Sequence, residues 1–170
     1  MLYNSFKFGW GPQENGWSLA AVGIVAVLVQ GLLMGRLVRR FGERRLVVAG
    51  TLSAVAGYLV YAFAEQGWMM YVGILIAALS GVVFPSLQGL MSNLTAKSGQ
   101  GELQGAVASL FSLATIIGPL VMTQAFAYFT APAAPFQLPG AAFVMAALLT
   151  VGALLLFARA MRMRDAVEAV

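Results

Sequence analysis

Five long apolar runs, separated by short polar segments, dominate the chain. Each run is close to the roughly 20 apolar residues that an α-helix needs to cross the hydrocarbon core of a bilayer. We predict five transmembrane helices, at about residues 17–35, 46–64, 68–90, 105–129 and 140–157. No Asp, Glu, Lys or Arg lies inside any of these runs. The pattern therefore predicts an all-α integral membrane protein.

The polar segments predict the connections between the spans. Residues 1–16 are predicted to form a polar turn that leads into the first span. Residues 65–67 form so short a turn that the second and third spans must be antiparallel neighbours. Residues 92–104 and 130–139 are predicted to be loops, the second with three prolines, and residues 158–170 a tail.

The basic residues predict how the chain crosses the membrane. Residues 35–45, predicted to be a short loop, contain five of the ten basic residues of the chain. Clustered Lys and Arg next to spans stay on the cytoplasmic side. With five spans, nine of the ten basic residues fall on that side and all three tryptophans on the other. We expect the amino terminus outside, the carboxyl terminus in the cytoplasm, and a further portion upstream of this chain.

The composition excludes several classes of function. The chain is 61% hydrophobic with a mean hydropathy of +0.86, and only 9% of its residues are charged, against about 25% in soluble domains. It has no Cys and no His, which removes disulfides, Cys/His metal sites and His-based catalysis. The cations flank spans, so the formal charge of +4 does not indicate nucleic-acid binding. We expect no enzymatic site, no metal and no cofactor.

Uncharged polar residues inside the spans are the candidates for a substrate cavity. Gln30 is the only strongly polar side chain of the first span, and Gln88 shares a face of the third with Ser80 and Phe84. Polar groups at such depth should face protein or a water-filled cavity. The cavity candidates are Gln30, Gln88, Ser109, Ser112 and Thr115. For Gln88 and the hydroxyl stripe of the fourth span, hydrogen bonding between helices is the alternative.

Two prolines and two glycine pairs predict irregularity and close packing in the helices. Pro85 and Pro119 are predicted kinks, which neighbouring helices can accommodate. Glycines four residues apart allow close contact between helices. The pairs are Gly31 with Gly35, and Gly101 with Gly105.

The basic segment resembles the cytoplasmic signature of the major facilitator superfamily: Gly, three residues, Asp-Arg, one residue, then Gly-Arg-Arg. The residues at the corresponding positions are Gly35, Arg39, Arg40, Gly42, Arg44 and Arg45. Arg39 stands where the family usually has Asp. The resemblance implies tight turning at the glycines, and arginines that cap helix ends and pair with acids in the other half of a transporter. The alternative is that the arginines only anchor the topology.

Further segments resemble the carboxyl-terminal half of the tetracycline resistance efflux proteins and related drug/proton antiporters. They are Phe8–Gly11, Pro85–Gly89, Gly101–Gly105, Ser109–Leu113 and Ile117–Leu120. The resemblance implies helices eight to twelve of a twelve-helix transporter, most of its carboxyl-terminal six-helix bundle, in a bacterial inner membrane.

The same resemblance implies the partners of this chain and its role within the transporter. The partners would be a missing amino-terminal half-bundle, a small-molecule drug, protons and the lipid bilayer. In this family the proton-carrying charges lie largely in the amino-terminal half, so this chain would form a wall of the drug cavity and not the proton relay. The alternatives are an inactive truncated fragment of such a transporter and a small helical membrane scaffold.

Overall fold

The computed structural model describes residues 2–132, 134 and 137–168, and every regular element in this part of the chain is a helix. The helices are α1 (Leu2–Phe8), α2 (Pro12–Phe41), α3 (Glu43–Phe63), α4 (Trp68–Leu94), α5 (Gln100–Thr130) and α6 (Ala141–Glu168). Helices α2 to α6 correspond to five segments that are long and apolar enough to cross a membrane. The predicted all-α membrane fold with five spans is therefore confirmed. Parts of the predicted opening turn, second loop and tail (residues 1, 133, 135, 136, 169 and 170) lie outside the described residues.

The helices extend well beyond the apolar runs. A helix, α1, forms within the predicted opening turn, and α2 continues through Arg36, Arg39 and Arg40. The predicted loop at 35–45 is therefore wrong. The predicted loop at 92–104 shrinks to a few residues, and α6 runs on through the predicted tail. Arginine stems lie along apolar surface while their heads reach water, so a helix can leave the hydrocarbon without ending.

Gly42 alone separates α2 from α3. Its φ of 76° lies in the left-handed region, which glycine adopts without steric cost. The Gly42 N–H donates to the Val38 carbonyl at 2.9 Å, and its own carbonyl accepts from the Leu46 N–H at 3.2 Å. One helix therefore ends and the next begins at a single residue.

Helix α3 is the centre of the bundle, because both α4 and α6 pack against it. Its buried residues are largely small: Gly50, Thr51, Ala54, Gly57 and Ala62 lie among them. The short turn at 65–67 makes α3 and α4 antiparallel neighbours, as predicted. Small side chains at a helix crossing let the backbones come close, which is how apolar helices gain packing energy in a membrane.

Helix α5 has the opposite character. Of the residues that the structure describes, none of those in α5 is buried. It touches the start of α6 and the end of α4 but leaves most of its length uncovered. The predicted close contacts at the two glycine pairs are also missing from the described structure, where a Cβ built at any of the four glycines would meet nothing within 4 Å.

Aromatic side chains close the end of the bundle where α1 lies. The Tyr3 hydroxyl donates to the Tyr61 carbonyl at 2.7 Å. The centroids of the Tyr3 and Phe143 rings lie 5.0 Å apart, with the rings nearly perpendicular. Only 6% of Tyr3 is exposed. Burial raises the pKa of its phenol from 10.0 to about 12, because water no longer stabilises the phenolate. Helix α1 is thus fastened to α3 and α6.

Candidate functional site

Two irregular helical segments face each other between α2 and α4. In α2, residues Val27–Leu33 form a π-helix, and in α4, residues Ala78–Val82 form a 3₁₀-helix. The two segments are in contact. Mid-helix stretches of these types often occur at functional sites or hinges. Pro85 is the third residue of the α-helical segment that follows the 3₁₀ segment, whereas Pro119 lies within a continuous α-helix; the two kinks stay predictions.

Gln30 lies in the π-helical segment and reaches across to α4. Its Nε2 atom would be 3.2 Å from a Cβ built at Gly81, so the amide lies close against the α4 backbone at this glycine. A cavity of about 250 Å³ surrounds it, lined also by Ser80 and Tyr61 and otherwise mostly by apolar side chains. The structure thus brings one predicted cavity residue together with two other polar side chains.

Gln88 meets a different helix. Its Nε2 donates to Oε1 of Gln104 in α5 at 3.2 Å. One helical turn earlier, the Phe84 ring lies 5.9 Å from the ring of Phe111. Gln88 is therefore hydrogen-bonded between helices, on the same side of α4 as Phe84.

The hydroxyl stripe of α5 is exposed and bonds to its own helix. Ser109 donates to the Gly105 carbonyl at 2.9 Å, Ser112 to the Ala108 carbonyl at 2.8 Å and Thr115 to the Ser112 carbonyl at 2.8 Å. Because these hydroxyls are satisfied within α5, they can lie on an open face without an unpaired donor. The described structure does not bring them together with Gln30.

The side of α4 that carries Phe84 and Gln88 points away from the centre of the bundle. Val82 and Ser86 are fully buried, whereas Phe84 is 48% exposed. Residues two apart on an α-helix are separated by about 200° around the axis, so Phe84 and Gln88 lie opposite the buried side. Helix α4 packs against α3 and also contacts α2 and the exposed α5, so α2, α4 and α5 border an open surface. Its amides and hydroxyls can orient a ligand by neutral hydrogen bonds.

Arginines of the basic segment 35–45 donate hydrogen bonds to backbone carbonyls and to one carboxylate. Arg36 and Arg39 each donate to the backbone carbonyl four residues earlier, at 3.0 and 3.1 Å. Arg44 donates from Nη1 to both carboxylate oxygens of Asp165, at 3.0 and 2.8 Å. The acid that meets Arg44 therefore belongs to α6 of this same chain, whereas the family resemblance implied an acid of the other half. Asp165 lies in the segment predicted to be a tail, and no sequence pattern points to Arg44 as its partner.

The remaining motif residues lie near the same end of α3. The Arg40 guanidinium lies 5.5 Å from the centroid of the Phe41 ring, and Arg45 lines two cavities described below. Glu43, the first residue of α3, accepts from Nδ2 of Asn93 in α4 at 3.2 Å. In the part of the chain with described coordinates, no group of three His, Cys, Asp or Glu residues is placed to hold a metal ion.

Residues 1–168 match the family model of the Major Facilitator Superfamily. The chain belongs to this superfamily. It is 36% identical over 127 residues to the class C tetracycline resistance protein of Escherichia coli, covering 75% of this chain and 32% of that protein. It is 39% identical over 123 residues to the class G tetracycline resistance protein of Vibrio anguillarum, covering 72% and 31%.

A mammalian protein also matches. The chain is 30% identical over 118 residues to hippocampus abundant transcript-like protein 1 of Rattus norvegicus, covering 69% of this chain and 23% of that protein. No solved structure matches. The chain spans about a third of the length of the tetracycline resistance proteins that it matches.

Proposed function

We propose that this chain forms part of the drug pathway of a proton-coupled efflux transporter for amphipathic, tetracycline-like molecules. The observation that carries the proposal is the open polar surface of α2, α4 and α5, with Gln30 between two irregular helical segments. Similarity to tetracycline resistance proteins supports the substrate class. Transport would follow the alternating-access scheme, in which two helical halves rock around a midplane site.

Proton coupling would depend on residues outside this chain. Each of its six acids, Glu14, Glu43, Glu65, Glu102, Asp165 and Glu168, lies outside the apolar runs. A proton relay through a membrane requires titratable groups within the spans. We therefore propose that an amino-terminal half-bundle is the partner and supplies the proton relay. The basic segment 35–45 and the carboxyl terminus of this chain would lie in the cytoplasm.

The proposal is tested by measuring drug accumulation in a sensitive bacterium. The chain is expressed alone, and together with the part of the class C tetracycline resistance protein that precedes the matched region, so that helix seven is included. We expect lowered accumulation of labelled tetracycline only with both halves, and only while the proton gradient is maintained. An inserted chain that never supports efflux with that half or a half-bundle from its own genome would favour the inactive-remnant alternative.

Two glutamine variants test whether Gln30 on the proposed surface contributes to drug transport. Gln30→Ala should raise the half-saturating drug concentration several-fold, because one hydrogen bond is worth about 0.5–1.5 kcal/mol. Gln13→Ala, in the first turn of α2 and outside the cavity, is the matched control and should leave transport unchanged. Equal transport by both variants, at equal membrane levels, would remove Gln30 from the drug pathway.

A further inference from the structure

A groove of about 630 Å³ runs along α3 beside the end of α2. Arg44 and Arg45 form one end, Phe41 of α2 forms a wall, and Val48, Ala49 and Leu52 form an apolar floor. At 1.5 Å per residue, the floor extends about 10 Å from the arginines towards the middle of the span. The groove is therefore charged at the membrane surface and apolar at depth.

The charged end of the groove carries an excess of cations. Arg40 lies over the Phe41 ring, which brings a third guanidinium to the rim. The Asp165 carboxylate binds Arg44 through Nη1 only, which leaves Nε and Nη2 as donors for another anion. Glu43 faces α4, where an asparagine amide donates to it. Among the described side chains at this end, three guanidinium groups thus face one carboxylate.

The apolar part of the groove continues into a second cavity. This cavity of about 210 Å³ shares Phe41, Arg45 and Ala49 with the groove and reaches Leu79 of α4. Arg45 therefore lies where both apolar spaces meet the charged rim. A ligand that fits must combine an anionic head with a long apolar body.

We propose that the groove binds one anionic phospholipid of the bilayer. Its phosphate lies between Arg44 and Arg45, and an acyl chain follows Val48, Ala49 and Leu52. Arginine forks match the geometry of phosphate oxygens, and the floor belongs to a transmembrane span, where lipid tails surround it. A free phosphate ion would leave the apolar floor bare, so the lipid is the occupant that uses the whole groove. This inference is independent of the proposed transport function.

Native mass spectrometry of the full chain in mild detergent tests the proposal. The probes are phosphatidylglycerol, which is anionic, and phosphatidylcholine, which has no net charge. We expect tighter binding of phosphatidylglycerol, weakened about fivefold in Arg45→Gln, since one cation near an anionic lipid is worth about that factor. Arg36→Gln, which removes a charge near the same end of α2 but outside the groove, should leave the affinity within about twofold of the original value.

A second pair of variants tests the apolar part without changing charge. Ala49→Phe should fill the floor and abolish phosphatidylglycerol binding, whereas Ala106→Phe, on the exposed face of α5, should not. Circular dichroism checks that both variants keep their helices, and Ala49→Phe must do so for its loss to count. The proposal would be overturned by any of three results. These are equal binding of both lipids, an equal loss of phosphatidylglycerol affinity in Arg36→Gln and Arg45→Gln, and displacement of the lipid by millimolar inorganic phosphate.

Discussion

Replacing Gly57 with alanine should destabilise the bundle, because the backbones of α3 and α4 come very close at this glycine. A Cβ at Gly57 would lie 2.6 Å from Cβ and 3.1 Å from Cα of Ala77. Carbon atoms in contact are normally about 3.5–4.0 Å apart. Neither Ala77 atom can rotate away, so the two helices would have to separate by about 1 Å.

The cost of this separation can be estimated from the same contacts. Overpacking a well-packed site costs about 1–3 kcal/mol, and alanine returns about 0.5–1 kcal/mol by favouring helix over glycine. The movement would also loosen the crossing at Gly50, where a Cβ would lie 2.8 Å from the Leu79 carbonyl oxygen. We therefore expect a net loss of about 1–2 kcal/mol in the free energy of unfolding.

The assay is unfolding of the purified chain by increasing SDS in mixed micelles, followed by helical circular dichroism. Gly152→Ala is the matched control: it lies inside α6, and its Cβ would meet nothing within 4 Å of described atoms. It should raise the unfolding free energy by about 0.5–1 kcal/mol, so the two variants should change stability in opposite directions. Unchanged or increased stability in Gly57→Ala would refute the close approach of α3 and α4.

Three further measurements test the orientation, the buried phenol and the ion pair. In this cysteine-free chain, Ser98→Cys should be shielded from an impermeant thiol reagent outside intact cells and Ala134→Cys should be labelled; the reverse pattern would overturn the proposed orientation. Because the folded pKa of Tyr3 is raised from 10.0 to about 12, stability should be constant below the lower value and fall as pH rises through the higher one. Tyr3→Phe should lose less stability over this alkaline range than the unaltered chain, as measured by thermal unfolding. The Arg44–Asp165 pair has side chains 48% and 52% exposed, so Arg44→Lys should cost less than about 1 kcal/mol in denaturant unfolding; a larger loss would show that water does not screen the pair.

The number of spans could be predicted because the bilayer imposes it. An apolar run of about 20 residues has few ways to satisfy its backbone in hydrocarbon except as a helix. The turn at 65–67 was equally determined, since so few residues cannot connect distant helices. These features depend on local composition, which a sequence displays directly.

The ends of the helices could not be predicted in the same way. Hydropathy marks where the chain leaves the hydrocarbon, whereas a helix ends where its backbone geometry changes. Arg36 and Arg39 donate to carbonyls of their own helix and so favour its continuation. The break comes only at Gly42, whose positive φ ends α2.

Contacts between helices were the least predictable part of the site. Gln30 can be identified because it is a lone polar residue in an apolar span, but no comparable signal marks Tyr61 beside it or Gln104, the partner of Gln88. The regularly spaced glycine pairs find no close neighbour in the described structure, whereas Gly50 and Gly57 do. Spacing within one helix specifies a face, and only packing shows which helix meets that face.

The contacts of α4 indicate how this helical bundle would behave in the proposed rocking mechanism. Helix α3 packs closely against α4 at two points, Gly57 against Ala77 and Gly50 against Leu79. The 3₁₀ segment of α4 is therefore in tight contact with α3, although its geometry departs from an α-helix. Tightly packed surfaces favour discrete rearrangements over continuous deformation. Helices α3 and α4 should therefore move as one body, and α2, which meets the 3₁₀ segment through its π-helical stretch, is the neighbour that can shift against them. A movement of α2 would alter the cavity around Gln30 first, because that cavity lies between the two irregular segments.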